Sequence, residues 1–338
     1  MNALPATLRK LTTIGIFATA VVCALAGPAA AQNILATIPI PTASAGQIAI
    51  DPASQFVYSG GGPAAGSSLT VINENTFAIV TTISSSAGAS ADMKQDNFWT
   101  GTGSGGSVNV YGSNNNQITS VSVGSCPAAV AFDCHKRRMW VSSSCGTGND
   151  PVWVFGADSM AEIGSAITPG GTITTPPVAS NNDNLYVTAG GVSKEINGTT
   201  FAVTTTTFGT VMAIDSNTYK LFATSGNNLQ VISAHNDAVT KTATLTYTPT
   251  AIGVNNAMAH VYLLNSAAGT IDVYAETAKK LATFTLPSGD QPSSIAVDSV
   301  RGLMFVDVFN TSSKAWSMLV IQDLSTVRLC GYSGSCDY

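Results

Sequence analysis

Beyond residue 32, apolar and polar positions alternate in short runs rich in β-branched side chains. Leu69-Thr70-Val71-Ile72, Val108-Asn109-Val110-Tyr111 and Leu229-Gln230-Val231-Ile232 are examples. Gly, Ser, Asn and Pro interrupt such runs throughout, and few windows keep a helical period over ten or more residues. This pattern predicts an all-β chain.

The runs repeat. One aromatic returns in a strand of similar flavour at Tyr58, Trp99, Trp140, Tyr186, Phe222, Tyr262 and Phe305, in steps of 41, 41, 46, 36, 40 and 43 residues. An acid or amide closing a short apolar strand precedes it at Asp51, Asp133, Asp215, Asn255 and Asp298. Both markers share a period near 41, the length of one four-stranded propeller blade. Each unit then reads as strands a, b, c and d. In the first they are Ile48–Ile50, Phe56–Tyr58, Leu69–Ile72 and Ala78–Ile83; in the sixth, Ala251–Val254, His260–Leu263, Thr270–Tyr274 and Lys280–Leu286. Seven aromatics predict a seven-bladed β-propeller of four-stranded antiparallel blades.

The ring has to close. The last unit supplies strands a, b and c at about 294–297, 303–306 and 318–321, but its fourth strand is missing from the local sequence. Residues 34–40, Ile-Leu-Ala-Thr-Ile-Pro-Ile, resemble the d strand Leu281–Leu286 and are expected to fill that slot, removing a free sheet edge. Val327-Arg328-Leu329 is the rival segment, and both could pair there.

Three phrases carry a resemblance to a known family: Leu185-Tyr186-Val187-Thr188, Pro292-Ser293-Ser294-Ile295-Ala296-Val297-Asp298, and Val231-Ile232 with its polar turn and Thr-rich strand. The chain resembles the YVTN-type seven-bladed β-propellers, which are related in fold to lactonase-like propellers. The resemblance runs through nearly all of the region after residue 31. It implies the fold and leaves the activity open, because this fold hosts many.

Residues 1–31 differ from the rest. Arg9 and Lys10 precede an apolar run from Leu11 to Ala26, and Ala29-Ala30-Ala31 offers a small-residue cleavage site before Gln32. This is the pattern of a secretory signal peptide, short for a membrane span of about 20 residues. The expected organisation is a signal at 1–31 and one propeller domain at 32–338, ending in a short tail from about 324. The expected location is secreted or periplasmic, with no transmembrane segment after cleavage. In such a compartment Cys126, Cys134, Cys145, Cys330 and Cys336 read as a disulfide framework with one thiol over. Cys126 and Cys145 fall opposite one another in a hairpin centred near residue 135.5, and Cys330 and Cys336 flank a five-residue loop. Both are expected pairs, which leaves Cys134 as a free thiol or an intermolecular partner. Asn197-Gly198-Thr199 and Asn310-Thr311-Ser312 spell glycosylation sequons, relevant only in a eukaryotic secretory pathway.

Charge narrows the partners. The net charge is −5, and charged residues are 10% of the chain against roughly 25% in a typical domain. No basic stretch offers a phosphate-backbone footprint, so nucleic acid is not an expected partner. Gly101-Thr102-Gly103-Ser104-Gly105-Gly106 spells a dinucleotide fingerprint, but the apolar run at 108–111 that follows is a strand rather than the required helix. The row of acids closing strand a reads as turn caps.

The propeller mouth, where strand a begins, carries the d–a and b–c loops. None of His135, His235 and His260 belongs there, and neither do Arg137, Arg138 and Arg301. That argues against a histidine base and against a phosphorylated-sugar lactonase. No GxSxG elbow occurs. The acids are the candidates: Asp92 and Asp290 in or beside d–a loops, Asp150 and Asp307 in b–c loops, as ligands for Ca²⁺ or Mg²⁺ should they converge. Asn149, Gln291, Trp153 and Trp316 lie near the same loops as candidate ligand-binding residues. Two readings follow. One is an exported propeller binding a protein, glycan or cell-surface component. The other is a metal-dependent hydrolase of the lactonase type.

Overall fold

The computed structural model describes residues 33–40, 46–60, 68–84, 87–124, 126–146 and 148–323. The expected signal segment at 1–31, the expected tail from about 324, the rival closing segment Val327-Arg328-Leu329 and the expected Cys330–Cys336 pair lie outside the described residues.

Strand β1 spans Asn33–Pro39. Blade one is β2 (Ile48–Asp51), β3 (Phe56–Gly60), β4 (Ser68–Asn73) and β5 (Ile79–Ser84). Blade two is β6 (Ala89–Asp92), β7 (Asn97–Gly101), β8 (Ser107–Gly112) and β9 (Gln117–Ser122). Blade three has β10 (Pro127–Asp133), β11 (Arg138–Ser143) and β12 (Val152–Gly156). Blade four is β13 (Val178–Ala179), β14 (Leu185–Ala189), β15 (Val192–Ile196) and β16 (Val203–Thr205). Blade five is β17 (Thr210–Asp215), β18 (Lys220–Ser225), β19 (Asn228–Ser233) and β20 (Ala238–Thr244). Blade six is β21 (Ile252–Asn255), β22 (His260–Asn265), β23 (Thr270–Ala275) and β24 (Lys280–Thr285). Blade seven joins β25 (Asp290–Asp298), β26 (Leu303–Asn310) and β27 (Ala315–Gln322) to β1, in the order β1-β27-β26-β25. The chain is a seven-bladed β-propeller, and its N-terminal strand closes the ring by pairing antiparallel with β27.

The packing explains the sequence pattern. Strand b is buried on both faces, so it reads as a near-continuous apolar run, strand c is more mixed, as in β15, and the outer d strands of blades one and two alternate exposed and half-buried toward their ends. Seven apolar clusters fill the seven interfaces between neighbouring blades. The repeating aromatic of strand b stands in each of them, at 0% exposure in all seven blades, packed toward the next blade. Tyr58 stacks at 4.1 Å on Phe98 across the first interface. Removing such a ring costs about 3–5 kcal/mol in a packed core.

The a–b turns close alike. A residue with positive φ leads into strand b in every blade, directly before it at Gln55, Asp96, Arg137, Tyr219, Ala259 and Gly302, and one position earlier at Asp183 in blade four. Only Gly302 is a glycine, so the strain is offset by the turn caps. Asp51, Asp133, Asp215, Asn255 and Asp298 each accept backbone N–H bonds from the two residues that follow one position on, as at Ala53 and Ser54 for Asp51.

Two departures from the expected blades matter. Blade three has no regular fourth strand. Residues 157–177, broken by Gly164, Pro169, Gly170, Gly171 and Pro176-Pro177, follow the edge of β12 through isolated bridges at Val152–Ile167 and Phe155–Glu162. Proline cannot donate to a ladder, which is why the run stays irregular. Blade seven is longer than expected: β26 continues through Asp307 to Asn310, and β27 begins at Ala315. A buried charge inside a strand had the look of a loop residue.

Candidate functional site

The four candidate acids do not meet. Asp92 is not at the mouth. It ends β6 on the opposite face, fully buried, where its carboxylate caps Lys94 and accepts two hydrogen bonds from Arg137 at 2.6 and 2.7 Å. Arg137 belongs to the next blade, so this pair clamps blades two and three. The missed signal was the repeat itself: Asp92 stands midway between Asp51 and Asp133, at the same 41-residue spacing.

Asp307 is not in a b–c loop. It lies inside β26 at 0% exposure, and its Oδ2 accepts from Ser59 Oγ at 2.9 Å and Ser294 Oγ at 3.1 Å. Ser59 belongs to blade one, so Asp307 bonds across the closing seam of the ring. Asp150 does sit in the blade-three b–c loop, but it is fully buried and its Oδ2 accepts from the Ile173 N–H at 3.0 Å. It anchors the irregular 157–177 segment, as does its exposed neighbour Asn149 through a bridge to Gly171. Trp153 is a core residue of β12, 6% exposed. Trp316 is half-buried against Phe309, with ring centroids 5.3 Å apart. Among the described residues, no three His, Cys, Asp or Glu side chains are grouped as a metal ion would need.

Asp290 stands apart from the other three. It begins β25, beside the d–a loop between blades six and seven, and borders a mouth-facing cleft of about 460 Å³. The walls are the blade-six b–c loop at Ala267–Gly269, the d–a loop at Leu286–Gly289, and Thr311 of blade seven. Backbone bonds brace them together, from Leu286 N–H to Gly269 O at 2.9 Å and from Thr311 N–H to Gly289 O at 2.9 Å. Asp290 is 9% exposed. Its Oδ1 accepts from Asn310 Nδ2 at 2.7 Å, and no donor among the described residues reaches its Oδ2. Gln291 also borders the cleft. Among the described residues, no basic or aromatic side chain lines it. A carboxylate this buried, with one oxygen unused in a braced polar cleft, is a preformed acceptor for a ligand's donors.

The other acids have structural work on the opposite face. Glu74 of blade one lies against Asp298 and Arg301 of blade seven, with Arg301 Nη1 3.2 Å from its Oε2. Burial, and then the neighbouring Asp298, push the Glu74 carboxyl up to about 8. Glu276 of blade six lies against Asp215 of blade five, and Lys220 bonds it at 2.6 Å. Burial, and then Glu276, push Asp215 up to about 7. Burial alone would raise Glu276, but hydrogen bonds from Asp215 and Lys220 hold it below its ordinary range. Asp323 of blade seven reaches Asn255, His260 and Tyr262 of blade six. In all three cases an acid just past strand c reaches back to the preceding blade. The structure thus staples neighbouring blades with carboxylates.

Cys126 and Cys145 form the expected disulfide, with Cα atoms 5.3 Å apart. Cys134, expected as the cysteine left over, is itself disulfide-bonded. The glycine-rich run at 101–106 is a b–c loop with one 3₁₀ turn, Gly103–Gly105, followed by strand β8.

Fold and site together define a seven-bladed β-propeller with a polar cleft on its mouth face. By sequence, no protein-family model matches the chain, and no curated protein matches it.

Proposed function

We propose that this propeller is an exported binding protein that engages its partner through the mouth loops, at the cleft between blades six and seven. The observation that carries the reading is Asp290, nine-tenths buried, with one carboxylate oxygen open to a cleft in which no described residue is a base that could neutralise it. Cross-bracing of the walls supports it, because a preformed site loses little ordering entropy on binding. Export rests on the signal pattern of residues 1–31, and kinship with the YVTN-type propellers on the phrases at 185–188, 231–232 and 292–298. No observation favours the metal-hydrolase reading: Asp92, Asp150 and Asp307 each have a structural bond elsewhere in the fold.

A screen of small polar fragments, read by hydrogen-exchange mass spectrometry on the whole protein, tests this. Protection at 266–269, 286–291 and 311–314 is the expected result. Protection confined to the opposite face, or none on the mouth, would overturn it.

A further inference from the structure

We infer that the blade six–seven cleft is a subsite for a neutral polyhydroxylated ligand, such as one sugar residue of a glycan. The inference rests on the reading of the mouth as a binding face and adds the chemical class of what binds there. Charge comes first. Among the described residues Asp290 is the one ionisable side chain in the lining, so an anionic ligand would face an uncompensated carboxylate. Apolar ligands fit poorly. Among the described residues no aromatic lines the cleft, and its apolar lining is Ala267, Ala268, Pro287 and the 5% exposed Leu286, which leaves little area to bury.

What remains is hydrogen bonding. Asp290 Oδ1 is held by Asn310 Nδ2 at 2.7 Å, and Asn310 is fixed in turn by the Ser312 and Ser313 N–H groups at 3.0 and 2.9 Å. The carboxylate is therefore oriented before a ligand arrives, with Oδ2 as a strong acceptor. Thr311 Oγ1 donates to Gly289 O at 3.2 Å, which leaves its lone pairs as further acceptors. Thr285, Ser288 and Gln291 add groups that donate as well as accept. A sugar hydroxyl is both donor and acceptor, and adjacent hydroxyls match a carboxylate beside neutral hydroxyls and an amide. A lone ammonium would use the carboxylate and leave the other polar groups without a match. The volume of about 460 Å³ admits a sugar ring with room for its linkage to leave through the open side.

The test is calorimetric titration of the folded protein with three probes: neutral oligosaccharides of glucose, mannose and galactose, a polylysine peptide, and a uronic-acid oligomer. A neutral oligosaccharide should bind. Asp290→Asn should weaken it tenfold or more, and Thr311→Val several-fold, with circular dichroism unchanged in both. Asp290→Asn keeps a partner for Asn310, so the fold is preserved, and Thr311→Val provides a second variant that leaves the carboxylate in place. Binding of polylysine alone, lost in Asp290→Asn, would overturn the sugar assignment but leave the binding face intact. Sugar binding that survives both substitutions would overturn the site. Failure of every neutral sugar would overturn the inference, and the fragment screen would then decide whether the mouth binds at all.

Discussion

Gln47 and Val130 lie 83 residues apart in sequence, yet the Gln47 side chain pairs with the Val130 peptide on both sides of its amide. Nε2 donates to the Val130 carbonyl at 2.7 Å, and Oε1 accepts the Val130 N–H at 3.3 Å. Val130 belongs to β10 of blade three, whose edge away from β11 has no paired strand among the described residues. The Gln47 amide completes one residue of that edge, reaching past blade two from just before blade one.

That reach needs space at Gly88. A Cβ there would stand 2.7 Å from Gln47 Oε1 and 3.2 Å from Ala128 O. Gln47→Ala should lower unfolding free energy by about 1–3 kcal/mol, the cost of leaving a buried peptide unpaired. Gly88→Ala should also destabilise, and the pair together should cost less than the two single losses summed. Urea denaturation of the three variants measures this; strict additivity would show that the contact is not formed.

Stability should fall as pH rises from about 5 to 8. Glu74 titrates near 8 in the folded protein and Asp215 near 7, against ordinary values of 4.5 and 3.8. Below about pH 4 both states hold these protons. Above it the unfolded chain releases them first, so stability is lost progressively until the folded groups ionise too. Glu276 is held low and acts oppositely, costing stability below its ordinary range. Denaturation midpoints at pH 5, 6.5 and 8 should decline, and Glu74→Gln should flatten the decline. The groups facing Glu74 are Asp298, Asp51 and Arg301, so its ionisation sets three carboxylates around one guanidinium at the closing seam. A midpoint constant from pH 5 to 8 would contradict this.

Arg137 should matter more than any other cation. It is bonded twice to the fully buried Asp92 and also to the half-exposed Asp158 at 2.5 Å. Arg137→Gln leaves Asp92 buried without its countercharge and should cost about 3–5 kcal/mol. Asp158→Ala breaks the exposed arm and should cost at most about 1 kcal/mol. Chemical denaturation separates the two. Neither residue approaches the cleft between blades six and seven, which lies on the other face.

Loss of the closing strand should open the ring. Ile38 and Ile40 are 6% and 5% exposed in the seam between blades seven and one. Deleting residues 33–40 removes both, at about 1.5–3 kcal/mol each, and bares the edge of β27. The shortened protein should unfold earlier in urea and aggregate, and a peptide of residues 33–40 added in trans should restore part of the loss. Unchanged stability would mean that β1 does not close the ring.

Much of this molecule was legible in local pattern. The seven aromatics, the turn-capping acids, the closing strand at the N-terminus and the Cys126–Cys145 pair follow from strand period and hairpin register, which involve residues near in sequence or repeated at one spacing. Asp92 belonged to that same repeat and could have been placed by it. Three features had no local signature. Asp307 is tolerated inside a strand because Ser59, 248 residues away, offers a hydroxyl across the seam. Gln47 finds an unpaired strand edge two blades on. Asp290 borders a polar cleft because three loops of blades six and seven come together around it. Sequence determined the blades, since each is built from neighbours in the chain. Tertiary structure decided which acids staple blades and which one borders the cleft, since a buried charge is settled by partners that only ring closure brings within hydrogen-bond reach.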